Sequence, residues 1–112
     1  MPILNPDYSS LNHDEISASI GLKLKHIPLL IGSFLDESKI IMSSLENAIE
    51  TKNYAEIKSS AHSIKGSAGN LKFNEIYEMA KEVELSATSE DEFFDYKGYC
   101  DAIIKAISTI PN

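Results

Sequence analysis

Near the middle of the chain, four residues have types and a spacing that could support chemistry. His62 is followed by Lys65 three positions later, and then by Gly66 and Gly69. A neutral imidazole near pH 7 carries a nitrogen lone pair that can act as a nucleophile. In a helix, Lys65 would lie one turn from His62, where its ammonium group would neutralise the oxygens of a phosphoryl group arriving at the ring. This spacing favours an imidazole that accepts a phosphoryl group over a plain surface histidine.

The two glycines are unusual because the segment otherwise has a helical pattern. Each glycine inside a helix costs about 1 kcal/mol relative to alanine. His62 lies about 130° from the centre of the apolar stripe on a helical wheel, and Gly66 and Gly69 share its outer face. Glycines at a helix seam would serve close packing of a neighbouring helix. On the outer face they predict close approach by another molecule.

Charge is distributed unevenly along the chain. The 112 residues carry a formal net charge of −7, whereas residues 52–72 hold four lysines against one glutamate, a net charge of +3. Residues 73–95 have a net charge of −7. All ten basic residues are lysine, which excludes bidentate arginine contacts with phosphate. An acidic chain of this kind is a poor candidate for binding nucleic acid, and no nucleic-acid partner is predicted.

The elements that must position His62 are helices, because apolar residues recur every three or four positions and no run alternates like a strand. The pattern predicts helices over about 13–20, 26–51, 54–70, 75–88 and 90–109, with Asn74 as the N-cap of the fourth, Ser89 opening the last and Phe93 on its apolar stripe. Four substantial amphipathic helices with short loops predict an all-α, antiparallel up-and-down four-helix bundle with a short accessory N-terminal helix. The length predicts one domain over residues 1–112, with a bundle core at about 26–109.

The cysteine content and the apolar runs indicate the compartment. Cys100 is the single cysteine, so no intrachain disulfide forms, and its apolar neighbours favour a packing role. No segment approaches the roughly 20 apolar residues of a membrane span. The N-terminus lacks the pattern of a signal peptide. The chain is therefore predicted to be cytoplasmic, without contact with a membrane.

A family signature surrounds His62. Residues 61–71 read AHSIKGSAGNL, which resembles the signature AHxLKGSAxNLG of histidine-containing phosphotransfer (HPt) domains. Residues 34–48 resemble the preceding helix of that family, and residues 83–87, VELSA, resemble its downstream L-E-x-x-A motif. The resemblance covers about residues 16–110. Lys72-Phe73 departs from the pattern where a glycine often follows the leucine, which loosens the prediction of the turn there.

The resemblance implies a histidine that carries a phosphoryl group on Nε2 and exchanges it with an aspartate of a receiver domain. His62 would be this phosphoacceptor, and Lys65 would contact the phosphoryl oxygens. Glu84 matches the glutamate of the downstream motif and is the candidate to accept a hydrogen bond from Nδ1, which would hold the tautomer with a free Nε2. Glu84 lies about 70° from its own apolar stripe, and a solvated surface carboxylate is the alternative.

Other residues of the motif receive smaller roles. Gly66 is predicted to clear space for the receiver domain, and Gly69 either to add to that clearance or to loosen the helix end. Lys58 is a candidate to steer the acidic surface of a receiver domain. Ser67 and Asn70 lie nearer the core edge and the helix end, where hydrogen bonds to the local backbone are expected.

The resemblance also implies the partners, a response-regulator receiver domain and a histidine kinase or hybrid kinase. The chain would then be a phosphoryl carrier and not an enzyme, with no cofactor and no metal site, since the metal would belong to the receiver domain. No nucleotide-binding loop motif occurs in the sequence. A carrier needs no dimer, so a monomer is expected. Met1 and the absence of a long linker favour a stand-alone protein over a module of a hybrid kinase.

Three alternatives remain open at this point. A docking bundle would bind a receiver or kinase domain without being phosphorylated. A hydrolase would use His62 and Glu84 as a base dyad, but no nucleophile-elbow pattern accompanies them. A metal site built from His13, His26 and His62 would lack cysteine ligands and the ligand spacing typical of helical metal sites.

Overall fold

In the computed structural model, which describes residues 3–112, the chain folds into five α-helices and no strand. The helices are α1 (His13–Ile20), α2 (Ile27–Glu50), α3 (Tyr54–Asn70), α4 (Asn74–Thr88) and α5 (Tyr96–Ser108), and a short 3₁₀-helix, Leu24–His26, precedes α2. Helices α2 to α5 form a ring in which each packs against the next and α5 packs against α2. Their short connections make successive helices antiparallel. The predicted all-α bundle with an accessory N-terminal helix is confirmed, and the single-domain organisation stays a prediction.

Local signals mark the ends of the first three helices. Gly21 ends α1 with a φ of 71°, in the left-handed region that glycine adopts without steric cost. Pro28 lies in the first turn of α2, where its missing N–H would be unpaired in any case. Asn53 caps α3, because its side chain accepts a hydrogen bond from the Glu56 backbone N–H at 3.2 Å. These helices begin and end within one residue of the predicted bounds.

The predicted start of the last helix is wrong. Helix α4 ends at Thr88 with Ser89 as its C-cap, and Glu90 has a positive φ of 53°, which takes the chain out of the helix. Residues 89–95 therefore form a loop where the pattern predicted the first turns of a helix. Phe93, predicted to lie on an apolar stripe, is 91% exposed in this loop.

Asp95 explains why α5 begins late. Its carboxylate accepts a hydrogen bond from the Gly98 backbone N–H at 2.9 Å and so caps the helix that starts at Tyr96. Glycine at position 98 makes room for this cap, because an added Cβ would collide with the Asp95 carboxylate. A capping carboxylate satisfies an N–H group at the helix start and so favours a new helix here over a continuous one. Asn74 is also corrected, since it is the first residue of α4 and Phe73 is the N-cap.

Phe73 anchors the turn between α3 and α4 to the core. Its side chain is fully buried and packs against the rings of Phe34 and Tyr8, with centroids 5.4 and 4.9 Å away. Lys72, which stands where the family often has a glycine, takes a positive φ of 62°. Burial of the Phe73 ring offsets the cost of this left-handed conformation in a residue with a side chain. The turn therefore forms without the glycine.

Two further predictions concern burial. Cys100 is 2% exposed, and burial raises the pKa of its thiol to about 12, so it is a packing residue as expected. Within residues 3–112, no single helix is long and apolar enough to cross a membrane, and only a pair bent by 109°, His13–Ile20 with Leu24–Glu50, meets that test by length and composition.

Tyr8 ties the segment before α1 to the bundle. Its hydroxyl donates a hydrogen bond to Glu75 Oε1 at 2.8 Å, and its backbone N–H donates to Thr109 Oγ1 at 2.9 Å. We expect Tyr8→Phe to lower the free energy of unfolding by about 1 to 2 kcal/mol, because it removes a bond to a carboxylate and keeps the ring packing. Urea unfolding followed by circular dichroism measures this. Glu75→Gln keeps an acceptor and should have a smaller effect, whereas no effect of Tyr8→Phe would contradict the prediction.

Candidate functional site

His62 lies midway along α3 on its outward face, as predicted, with a side chain that is 69% exposed. The neighbouring positions on this face are occupied by small, exposed residues. They are Ala55, Ser59, Ser63 and Gly66. An added Cβ at Gly66 would meet nothing within 4 Å, so this position is open towards solvent. The imidazole can therefore be reached by another protein surface that approaches α3 closely.

Glu84 of α4 contacts the imidazole from the neighbouring helix. His62 Nδ1 lies 2.7 Å from Glu84 Oε2. An ionised carboxylate can only accept, so Nδ1 is the donor and carries the proton. The lone pair of the neutral ring is then at Nε2, on the side away from Glu84. Glu84 is only 14% exposed, so it is not the solvated surface carboxylate that the sequence left as an alternative.

Lys65 forms an ion pair with the second oxygen of the Glu84 carboxylate. Its Nζ lies 2.5 Å from Glu84 Oε1, and its side chain is 22% exposed. Each oxygen of Glu84 therefore has one partner from α3, His62 on one side and Lys65 on the other. The spacing predicted Lys65 beside the ring, but the contact with Glu84 was not predicted. The ammonium group is held near the site by a carboxylate and not by the imidazole.

The ion pair determines the charge state of the site. Burial acts to raise the pKa of Glu84, but the hydrogen bonds from Lys65 and His62 outweigh burial and keep this pKa below its ordinary value. The hydrogen bond to Glu84 raises the pKa of Lys65 against the opposing effect of burial. At neutral pH the carboxylate and the ammonium group are both charged, and the carboxylate remains an acceptor for Nδ1.

The lowered pKa of Glu84 predicts that the site contributes to stability in a pH-dependent way. A carboxyl group whose pKa is lower in the folded state stabilises the fold above its unfolded value, which is ordinarily 4.5, and ceases to do so as the pH falls through the folded value. We expect the stability difference between wild type and Glu84→Gln to be largest near neutral pH and to shrink below about pH 4.5. Urea unfolding at a series of pH values measures this, with Glu90→Gln as the control. A difference that does not change with pH would contradict the prediction.

A groove of about 420 Å³ opens beside the imidazole between α3 and α4. It is lined by Ala55, Lys58, Ser59, His62, Ser63 and Glu84. Lys58 is exposed and adds a second positive charge to this surface. Within residues 3–112, no three His, Cys, Asp or Glu side chains are grouped so that they could hold a metal ion.

Two residues of the signature segment make contacts between helices that their positions in the sequence did not predict. Gly69 faces α4, and an added Cβ there would lie 3.2 Å from Tyr77 Cδ2, so its predicted position away from helix contacts is wrong. Ser67 donates a hydrogen bond to Glu37 Oε1 of α2 at 3.0 Å, where a bond to the local backbone was expected. The roles of Gly69 in partner clearance and of Asn70 in backbone bonding stay predictions. Tyr77 and Glu84 are seven residues apart, about two helical turns, and so lie on one face of α4. Because Glu84 was expected to face α3, this spacing could have indicated that Tyr77 also faces α3, where it meets Gly69.

Comparison with known proteins adds one match. The family model described as "Hpt domain" matches residues 29–109, a range that contains His62, Lys65, Tyr77 and Glu84 and leaves out α1. Neither the comparison with curated proteins nor the comparison with solved structures finds a match.

Proposed function

The chain belongs to the family of Hpt domains, which are histidine phosphotransfer intermediates in phosphorelays, and on this premise we propose that it carries the phosphoryl group on His62. The observation that best supports this assignment is the 2.7 Å contact between His62 Nδ1 and Glu84. It leaves Nε2 as the free nucleophilic nitrogen on an exposed face of α3. The proposed partners are a response-regulator receiver domain and a histidine kinase or hybrid kinase, since Hpt domains interact in general with two-component kinases and receivers.

In the proposed step, the Nε2 lone pair attacks the phosphorus of an aspartyl phosphate on the receiver domain. The N–P bond forms while the P–O bond to the aspartate breaks, and the electron pair of that bond stays on the aspartate carboxylate. The imidazole keeps its proton on Nδ1 and gains positive charge. The Glu84 carboxylate at 2.7 Å stabilises that charge as it develops. No proton leaves the site, so the same groups serve the transfer in both directions.

Lys65 is proposed to neutralise the phosphoryl oxygens during transfer. In the unphosphorylated chain its ammonium group is paired with Glu84, and its flexible stem allows a change of partner when a doubly negative group arrives at Nε2. Gly66 is proposed to let the receiver surface come close to α3, since its outer side is open. Lys58, in the groove beside His62, is proposed to attract an acidic receiver surface.

A direct labelling experiment tests the proposal. The chain is mixed with a receiver domain that has been phosphorylated with radioactive phosphate, in the presence of Mg²⁺, and the protein bands are then counted. We expect label on the chain that is stable in alkali and lost in acid, as for phosphohistidine. A docking bundle would bind the receiver domain without gaining label, and that result would refute the proposal. Incubation with inorganic phosphate alone is the control and should give no label.

Lys65→Ala is expected to slow transfer by roughly tenfold, because the phosphoryl oxygens lose their nearest ammonium group. The fold should be unchanged, since the side chain lies at the surface between α3 and α4 and outside the core. Rapid-quench measurement of label transfer provides the rate. Lys58→Ala, which removes a positive charge from the same groove, is the matched control and should have a smaller effect. A rate for Lys65→Ala equal to that of wild type would remove its assigned role.

A further inference from the structure

The ring of Tyr77, a residue of α4, lies against α3 at Gly69, where a side chain would otherwise cover the helix surface. An added Cβ at Gly69 would lie 3.2 Å from Tyr77 Cδ2 and 3.6 Å from Cε2. At this distance the ring would have to shift by a few tenths of an ångström to admit a side chain at position 69. The Tyr77 ring thus packs against the backbone of Gly69. The signature of the family specifies no particular residue at this position.

Lys65 precedes Gly69 by one turn of α3. Residues four apart lie on the same face of a helix. Because Gly69 faces the Tyr77 ring and Lys65 pairs with Glu84, both residues lie on the side of α3 that faces α4. The Tyr77 side chain is also among the groups that raise the pKa of Lys65, after the hydrogen bond to Glu84, which agrees with this placement.

Helix α4 presents Tyr77 and Glu84 on one face, about 10.5 Å apart along the helix axis, because seven residues span two turns. The Lys65 ammonium group lies 2.5 Å from Glu84 Oε1 at the C-terminal end of this interval. The Tyr77 ring lies at its N-terminal end, against Gly69. The Tyr77 ring and the Glu84 carboxylate therefore lie at the two ends of the stretch of α4 that faces Lys65. A lysine stem loses side-chain entropy when its ammonium group is held in an ion pair, and a bulky neighbour that already limits the stem reduces that loss.

We propose that Tyr77, packed against Gly69, is a positioning residue that holds the Lys65 ammonium group against Glu84. The Glu84 carboxylate thereby stays aligned with His62 Nδ1. This inference rests on the proposed phosphotransfer function for its kinetic consequence. Its structural content, the order of the Lys65–Glu84–His62 contacts, does not depend on that function.

The first test observes the Lys65 ammonium group directly by NMR in three variants of the full chain. In Tyr77→Ala we expect its protons to exchange with water about threefold to tenfold faster than in wild type, because the pair with Glu84 opens more often. Tyr77→Phe keeps the ring and should resemble wild type. Gly69→Ala shifts the ring by a few tenths of an ångström and should change exchange in the same direction as Tyr77→Ala, by a smaller factor. Exchange in Tyr77→Ala equal to that of wild type would overturn the proposal.

The second test measures phosphoryl transfer in a double-mutant cycle. We expect Tyr77→Ala to slow transfer about threefold to tenfold in the wild-type background and to have no further effect when Lys65 is already alanine. An equal slowing in both backgrounds would show that Tyr77 acts through general packing, and the proposal would be wrong. If Tyr77→Ala does not fold, Gly69→Ala takes its place in both tests. If no variant gains label, the phosphotransfer function fails while the NMR result still decides the positioning role.

Discussion

His62→Gln is expected to abolish phosphoryl labelling of the chain while leaving the bundle folded. Glutamine has a side chain of similar length, but its amide nitrogen has no available lone pair to attack phosphorus. Label transfer should therefore fall by at least about a thousandfold, to the limit of detection. The His62 side chain is 69% exposed and outside the core, so the free energy of unfolding should change by less than about 0.5 kcal/mol. Label transfer and urea unfolding of the same protein sample measure the two quantities.

The chain contains its own controls for this experiment. His13 lies in α1 and His26 in the short 3₁₀-helix before α2, so neither belongs to α3. A variant with both residues changed to glutamine should be labelled like wild type. If His62→Gln retained label and this double variant lost it, the phosphoacceptor would be one of the other two histidines. Equal labelling of all three proteins would show that labelling does not require His62.

Glu84→Ala is expected to reduce the rate of transfer about 10- to 100-fold. The substitution removes the acceptor of the His62 Nδ1 hydrogen bond and the partner of Lys65 at the same time. Without the acceptor, the imidazole rotates and samples the tautomer whose proton is on Nε2, which cannot attack phosphorus. The positive charge that develops on the ring also loses its neighbouring carboxylate. Single-turnover label transfer, compared with wild type, measures the rate.

Glu84→Gln separates the two contributions of this residue. The glutamine amide oxygen can still accept a hydrogen bond from Nδ1, but it carries no charge to stabilise the phosphorylated ring or to pair with Lys65. We expect a rate between those of wild type and Glu84→Ala. Glu78→Ala, on the same helix, should transfer at the wild-type rate. If Glu84→Ala also did so, the orientation of His62 would not depend on this carboxylate.

The helical pattern predicted most of the fold, because the period of apolar residues reports which face of each helix is buried. Its failure at residues 89–95 has a local cause. The two phenylalanines continue the apolar period through this stretch, but the capping carboxylate of Asp95 and the glycine at position 98 favour a new helix start at Tyr96. The spacing of Asp95 and Gly98 was readable as a helix-start signal. The positive φ of Glu90, which ends α4, had no comparable signal.

In the candidate site, too, some features were predictable from the sequence and others depend on how the helices pack. From the sequence alone, His62 could be placed on an outward face with Lys65 one turn away, because both statements concern angles and spacing along one helix. The contact between Glu84 and His62, which the family resemblance implied, joins two helices. Three contacts that were not predicted also join two helices, namely Glu84 with Lys65, Tyr77 with Gly69, and Ser67 with Glu37. Such contacts depend on how far each helix is shifted along its axis and rotated against its neighbour. That relation arises when the whole core packs together, and no periodicity within a single helix contains it.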